Sequence, residues 1–90
     1  MTKAIITVVG KDAVGIIAKV CTYLADNQVN ILDITQTIVD GFFNMMMIVD
    51  VTDTQKTFEQ VSNELTEIGK SIGVQTKIQL EEIFNQMHRI

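Results

Sequence analysis

The order of hydrophobic and polar residues along the chain predicts alternating strands and helices. Residues 4–9, AIITVV, are mostly β-branched and apolar on both faces, which is typical of a central strand that ends at Gly10. Residues 14–27 are predicted to form a first helix, for which Asp12 is a better N-cap than Ala13 because its carboxylate accepts backbone N–H groups. The apolar residues at helical spacing are Ile17, Val20, Cys21 and Leu24.

The second half of the pattern begins with a hairpin signal. Asp40-Gly41 favours a type I′ turn, which needs positive φ at both central residues, and predicts a long antiparallel strand on either side. Apolar residues spaced three and four apart then predict a second helix, with Thr54 as its N-cap and Gly73 as its end. These residues are Phe58, Val61, Leu65, Ile68 and Ile72. Residues 74–80, VQTKIQL, alternate between apolar and polar, as expected for a strand with one solvated face.

The resulting order, β-α-β-β-α-β, predicts a fold of the α+β class. It is the ferredoxin-like sandwich, a four-stranded antiparallel sheet with two helices on one face. Ninety residues make one domain, because a chain of this length has no room for two cores. We expect its core to run from about residue 3 to residue 80, followed by a short C-terminal helix over about 81–88. The apolar stripe of that helix is Leu80, Ile83, Phe84 and Met87.

The two-residue turn also predicts which side chains share a face of the sheet, because it places Val39 opposite Phe42. Counting outward assigns the face under the helices to Leu32, Ile34, Ile38, Phe43, Met45, Met47 and Val49. The open face receives Ile31, Asp33, Thr35, Thr37, Val39, Phe42, Asn44, Met46, Ile48 and Asp50. Half of the open face is apolar, so we expect a homodimer, formed through either the sheet edge or this face.

Composition and charge narrow the classes of function. The chain is 47% hydrophobic with a net charge of −4 and no basic cluster, which indicates a globular domain with no membrane span and no direct nucleic-acid partner. Cys21 is the single cysteine, and the N-terminus reaches Gly10 before a signal-peptide hydrophobic region is complete. We therefore expect a cytoplasmic location.

Few side chains are suited to catalysis or metal binding. His88 lies near the end of the sequence and Cys21 falls on an apolar helical stripe, so neither is expected to react. The first loop lacks the Cys-x-x-Cys of a metal chaperone and the arginine of an acylphosphatase-like enzyme. We expect no enzymatic activity, no cofactor and no metal site.

The first loop, within VVGKDAVGIIAKV (residues 8–20), is the candidate binding site. Backbone N–H groups of Val14, Gly15 and Ile16 are expected to face a carboxylate at the helix N-terminus, where the macrodipole favours an anion. Asp12 would then hold an ammonium group, so the loop fits an α-amino acid. In the alternative interpretation Asp12 only caps the helix and Gly15 only allows close helix–sheet packing.

Residues 6–37, ITVVGKDAVGIIAKVCTYLADNQVNILDITQT, closely resemble the opening of an ACT domain. The most specific parts are the G-x-D-x-x-G-I turn and the VNILDI start of the second strand. ACT domains are regulatory modules that typically bind amino acids and associate side by side, with the ligand between the first loop of one domain and the second strand of its neighbour. The resemblance implies one ligand wall of Gly10, Asp12, Gly15 and Ile16, and another of Asn30 and Ile31.

The chain is similar to small stand-alone bacterial ACT proteins and to the ACT domains of the glycine-cleavage transcriptional repressor. This resemblance implies a non-catalytic regulatory module that binds a small amino acid at a dimer interface and signals to a separate protein. The alternative is a purely structural dimerisation module whose loop is empty. A small enzyme is the third hypothesis.

Overall fold

The elements observed in a computed structural model follow the predicted order, and the structure describes residues 1–11 and 15–82. They are β1 (Lys3–Lys11), α1 (Ile16–Asp26), β2 (Asn30–Val39), β3 (Phe42–Asp50), α2 (Phe58–Ile72) and β4 (Val74–Leu80). The four strands form one antiparallel sheet in the order β2-β3-β1-β4, as the ferredoxin-like fold requires. The C-terminal helix predicted over about 81–88 lies almost wholly outside the described residues.

A hydrophobic core fills the space between the sheet and the helices. Alternate residues of the two central strands enter it, because successive side chains of a strand point to opposite faces. The strand residues of this core are Ala4, Ile6, Val8, Phe43, Met45, Met47, Val49, Val74 and Ile78. The helical residues are Ile16, Val20, Leu24, Val61 and Leu65.

The buried stripe of α1 differs from the predicted one. The helix begins at Ile16, two residues later than predicted, and it buries Ile16, Val20 and Leu24. Ile17 is 38% exposed and Cys21 is half-buried, so these two residues lie at the border of the core. Val20 and Leu24 are buried as predicted, and Ile16, which follows the left-handed Gly15 directly, enters the core in place of Ile17 and Cys21.

The N-cap of α2 is Thr57, and the prediction of Thr54 was wrong. Thr57 Oγ1 accepts the backbone N–H of Gln60 at 3.1 Å, while Gln60 Oε1 accepts the backbone N–H of Thr57 at 2.9 Å. This reciprocal capping box needs a Gln or Glu three residues after the cap, which Thr54 does not have. Thr54 accepts the N–H of Lys56 in the preceding loop instead. The predicted end of the helix at Gly73 is confirmed by its left-handed conformation, with φ 75°.

The central hairpin has the predicted turn but not the predicted register throughout. Asp40 and Gly41 have φ 52° and 80°, as a type I′ turn requires, and Val39 pairs with Phe42. A β-bulge then interrupts β2 between Ile31 and Asp33, which leaves Leu32 as the extra residue.

The bulge corrects the predicted faces at the start of β2. Ile31 pairs with the buried Val49 and packs against the core, although the unbroken register placed it on the open face. Leu32, predicted to lie under the helices, is 41% exposed. A bulge adds one residue to one strand and so shifts the alternation of every residue beyond it, which hydrophobic periodicity alone does not reveal.

Strand β2 is an edge strand that the helices leave uncovered. Every residue from Leu32 to Val39 is exposed. Ile34 and Ile38 share the helix side of the sheet with Met47 and Phe43, yet they are 43% and 60% exposed. The apolar residues predicted under the helices at this edge therefore form an exposed lateral surface. Apolar residues exposed on the open face are Val9, Val39, Phe42 and Met46.

Candidate functional site

The first loop leads to the N-terminus of α1 at Gly15. Asp12 and Val14 lie outside the described residues, and Gly15 is the N-cap of α1, with φ 87°. Among the described residues, no side chain caps this end, and the first turn of α1 contains no acidic residue. The positive end of the helix macrodipole and the backbone N–H groups of the first turn are thus without a partner in that part of the chain. Such an end suits an anion such as a carboxylate.

The two glycines that flank the loop are needed for different physical reasons. At Gly15 the backbone needs positive φ, and no heavy atom of the described residues beyond its chain neighbours lies within 4 Å of an added Cβ. At Gly10 an added Cβ would lie 2.7 Å from Val74 Cγ1 and 3.0 Å from Val74 Cα. Gly10 therefore permits close packing of β1 against β4, while Gly15 provides the positive φ that precedes α1.

The two predicted walls of the site lie at opposite ends of the sheet. Ile31 pairs with Val49, which pairs with Ala4, whereas Gly10 is six residues further along β1. Six residues of extended strand span about 20 Å. The fold brings Gly10, Gly15 and Ile16 to one end and Asn30 and Ile31 to the other. A single copy therefore does not assemble both walls around one small ligand.

Asn30 and Ile31 border an open groove of about 480 Å³ between α1, the start of β2 and the loop after β3. Its other residues are Cys21, Ala25, Gln28, Val29 and Asp53. Burial raises the pKa of the Cys21 thiol, so this group is not an activated thiolate. The groove offers an exposed amide at Asn30 and an apolar flank at Ile31.

A polar cluster on the helical layer joins α1 to α2 and the loop before it. Tyr23 Oη donates to Glu64 Oε1 at 2.7 Å, and Lys56 Nζ donates to the same oxygen while lying 5.6 Å from the centre of the Tyr23 ring. The hydrogen bonds from Lys56 and then Tyr23 hold the pKa of Glu64 below its usual range. Burial, and then the hydrogen bond to Glu64, raises the pKa of Tyr23. The three side chains form hydrogen bonds with one another and link the two helices, so the cluster has a structural role.

The described residues carry neither a metal-ligand cluster nor a membrane-spanning helix. Across residues 1–11 and 15–82, no three His, Cys, Asp or Glu side chains are grouped so that they could hold a metal ion. No helix in the same part of the chain combines the length and the apolar composition needed to cross a membrane.

The fold and the loop define the class of protein: a ferredoxin-like domain in which Gly10 and Gly15 flank the segment between β1 and α1. The family model described as the ACT domain matches residues 2–79, and the chain belongs to this family. The family predicted from the G-x-D-x-x-G-I turn and the VNILDI strand is confirmed.

Similar proteins match most or all of the chain. A UPF0237 protein of Bifidobacterium longum is 60% identical over 90 residues, which is 100% of both chains. The solved structure of an ACT domain protein from Streptococcus pneumoniae is 43% identical, with a TM-score of 0.82, and the match covers 92% of this chain and 93% of that one. A putative glycine cleavage system transcriptional repressor shares the fold, with a TM-score of 0.76 at 22% identity over 88% of this chain and 45% of that one.

Proposed function

We propose that this chain is a non-catalytic regulatory ACT module that binds a small amino acid between two copies of itself and signals to a separate protein. Membership of the ACT family supports the regulatory class. The observation that carries the choice of ligand is the N-terminus of α1 at Gly15, which no side chain of the described residues caps. An α-carboxylate there accepts N–H groups that no described side chain reaches, while the carboxylate of Asp12 supplies a partner for the ammonium group.

The separation of the two walls supports a site shared between copies. When two copies pair antiparallel through β2 about a two-fold axis, the strand direction reverses across the interface. The end of β2 that carries Asn30 and Ile31 in one copy then points toward the end of the partner that carries Gly10 and Gly15. The exposed apolar side chains of Ile34 and Ile38 would be covered by the same contact.

A structural dimerisation module with an empty loop is the second candidate. The observation that favours it is the packing of Gly10 against Val74, which accounts for one of the two loop glycines without any ligand. The two candidates share the dimer and differ only in whether the loop binds an amino acid.

A thermal-shift screen of the twenty amino acids tests the proposal. A ligand at one hundred times its Kd stabilises the folded state by about 2.7 kcal/mol, which raises the Tm of a domain of this size by roughly 10–20 °C. Asp12→Ala is expected to abolish the shift, because the ammonium group loses its partner, while Asp26→Ala is expected to retain it. If no amino acid changes the Tm at millimolar concentration, sensing is rejected and only dimerisation remains.

A matched pair of glycine variants separates blocked binding from damaged folding. Gly15 and Gly73 both have positive φ, and an added Cβ meets no described neighbour within 4 Å at either position. Gly15→Leu and Gly73→Leu are therefore expected to lower the Tm of the free protein by similar amounts. Only Gly15→Leu is expected to remove the ligand-induced shift, because its side chain stands at the approach to α1. Equal ligand-induced shifts in both variants would contradict a site at this helix end.

A further inference from the structure

The open face of the sheet is buried at one end and exposed at the other. On β1 the side chains of this face change from Ile5, 6% exposed, through the half-buried Thr7 to Val9, 44% exposed. On β3, Ile48 is half-buried and Phe42 is 50% exposed. Burial of the open face therefore increases toward the start of β1 and the end of β3.

Strand pairing places one row of side chains across the buried end. Ile5 of β1 pairs with Gln79 of β4 on one side and with Ile48 of β3 on the other. Asp33 of β2 pairs with Ile48 and completes the row. Gln79 is half-buried, whereas Lys77, the neighbouring open-face residue of β4, is exposed. The Ile5 row, as we call it, consists of Gln79, Ile5, Ile48 and Asp33.

Neighbours within the sheet do not account for the burial of Ile5. Thr7 is a smaller side chain on the same strand and face, and it lies between the longer side chains of Met46 and Lys77. Thr7 nevertheless remains half-buried, whereas Ile5 is buried. Helices α1 and α2 pack on the opposite face of the sheet, so a further segment is needed to cover the row.

The chain leaves the sheet beside this row. Leu80, the last residue of β4, pairs with Ala4, the neighbour of Ile5. The next two residues continue in helical conformation, and residues 83–90, IFNQMHRI, lie beyond the described residues. A short amphipathic helix is not stable alone and needs a surface to pack against. The apolar residues of this segment, at the spacing of one helical face, are Ile83, Phe84, Met87 and Ile90.

We propose that residues 83–90 continue this helix across the open face and cover the Ile5 row. A helix over residues 81–90 is about 15 Å long. The row runs from β4 to β2, which is three strand spacings or about 14 Å. The segment therefore has the length needed to span the sheet from one edge strand to the other.

The spacing of the apolar residues matches the spacing of the strands. Counted from residue 81 above β4, Phe84 lies about 4.5 Å along the helix axis, which is one strand spacing and places it above β1. Met87 lies about 9 Å along the axis, above β3, and Ile90 about 13.5 Å along, above β2. Phe84 thus packs on Ile5. Met87 packs on Ile48 in the same way.

The exposed part of the open face sets the direction of the segment. A helix of the same length that followed the strands would reach from Ile5 to the level of Val9, about 14 Å away. Val9 is exposed, and so are Lys77 and Gln75 on the open face of β4. The cover is therefore confined to one row, as a segment that crosses the strands requires. It keeps Ile5 and Ile48 apart from the apolar surface that stays exposed at the other end.

The reactivity of an introduced thiol reports the cover. Ile5→Cys and the matched control Thr7→Cys are prepared in a Cys21→Ala background, which removes the single native thiol. The readout is the rate of alkylation by iodoacetamide at neutral pH, followed by mass spectrometry. Combining Phe84→Ser with Met87→Ser is expected to speed alkylation at position 5 about tenfold and to leave position 7 unchanged. Equal acceleration at both positions, in a variant whose circular dichroism is unchanged, would overturn the cover, and so would no acceleration at position 5.

A cross-link tests the direction and the occupant with the apolar contacts of Phe84 and Met87 intact. Asp33→Cys is combined with Ile90→Cys in the Cys21→Ala background, and Val39→Cys with Ile90→Cys is the control. Position 39 lies on the same strand and face as position 33, about 20 Å away. A short bismaleimide is expected to link positions 33 and 90 within one chain and to form no intrachain link between positions 39 and 90. Denaturing gels and mass spectrometry separate intrachain from interchain products.

Three results of the cross-link would overturn the proposal. An intrachain link between positions 39 and 90 means that the segment runs along the strands. A link between positions 33 and 90 that forms only between chains means that a second copy supplies the cover. The absence of any link at position 33 means that the segment does not cross the sheet. None of these results bears on the thermal shift produced by amino acids, because the proposal does not rest on ligand binding.

Discussion

Gly10→Ala is expected to destabilise the fold through its contact with β4. An alanine Cβ would lie 2.7 Å from Val74 Cγ1 and 3.0 Å from both Val74 Cα and Cβ. Real side chains do not tolerate such a distance, and Val74 is buried at 6% exposure, so β1 and β4 must move apart. Gly10 belongs to the G-x-D-x-x-G-I motif, which is associated with ligand binding. This variant measures how far the need for a glycine at position 10 comes from packing against Val74.

The size of the effect follows from the steric overlap and from a double-mutant cycle. Overpacking of a buried site by one methyl group costs about 1–3 kcal/mol. Val74→Ala alone costs about 1–2.5 kcal/mol, because it removes two buried methyl groups. In the double variant the closest overlap, with Cγ1, is gone, although the 3.0 Å approaches to the Cα and the Cβ remain. The double variant is therefore expected to lose about 1 kcal/mol less than the sum of the single losses.

Urea unfolding at one fixed protein concentration measures the three free energies, because the stability of a dimer depends on concentration. Gly15→Ala provides the matched control, since its Cβ meets no described neighbour and its cost comes from positive φ alone. The cycle of Gly15→Ala with Val74→Ala is expected to be additive. Additivity in the Gly10 cycle as well would refute the packing explanation.

Two further predictions concern the helices. Thr57→Ala is expected to lower the free energy of unfolding by about 1 kcal/mol through loss of the capping box, whereas Thr54→Ala is expected to cost much less; equal losses in urea melts would contradict the assigned cap. The lowered pKa of Glu64 implies stability that is present above its ordinary pKa of 4.5 and is lost as the pH falls through the lowered value. Glu64→Gln is expected to flatten that acid loss in thermal melts from pH 7 to pH 3, and a loss as steep as that of the parent chain would contradict this linkage.

The order of strands and helices could be predicted because periodicity and turn chemistry agree along the chain. The Asp40-Gly41 turn fixes both φ signs locally, and Gly73 ends α2 for the same reason. These are short-range properties, so no tertiary information is needed to identify them. The helix starts were less well predicted, because several Thr or Asp side chains compete as caps and only the reciprocal bond of Gln60 distinguishes Thr57.

Contacts between residues that are distant along the chain could not be predicted from the sequence. Tyr23 and Glu64 are 41 residues apart, and neither belongs to a motif that indicates their hydrogen bond. The close approach of Val74 to Gly10 likewise depends on the pairing of β1 with β4. The resemblance to ACT domains assigned Gly10 to a ligand wall, and its contact with Val74 adds a packing reason for a glycine at that position.

The bulge in β2 connects the candidate ligand wall to the proposed interface. In an unbroken register Ile31 would point to the open face and away from the groove beside Cys21. Because Leu32 is the extra residue, Ile31 turns to the helical side and borders that groove, while Asp33 stays on the open face and bonds the N–H of Ile34. The same irregularity thus places Ile31 beside the candidate ligand groove and Asp33 at the start of the exposed edge segment. Deleting Leu32 is therefore expected to leave both residues on their present faces, because it removes the extra residue and Ile31 would still pair with Val49 and Asp33 with Ile48.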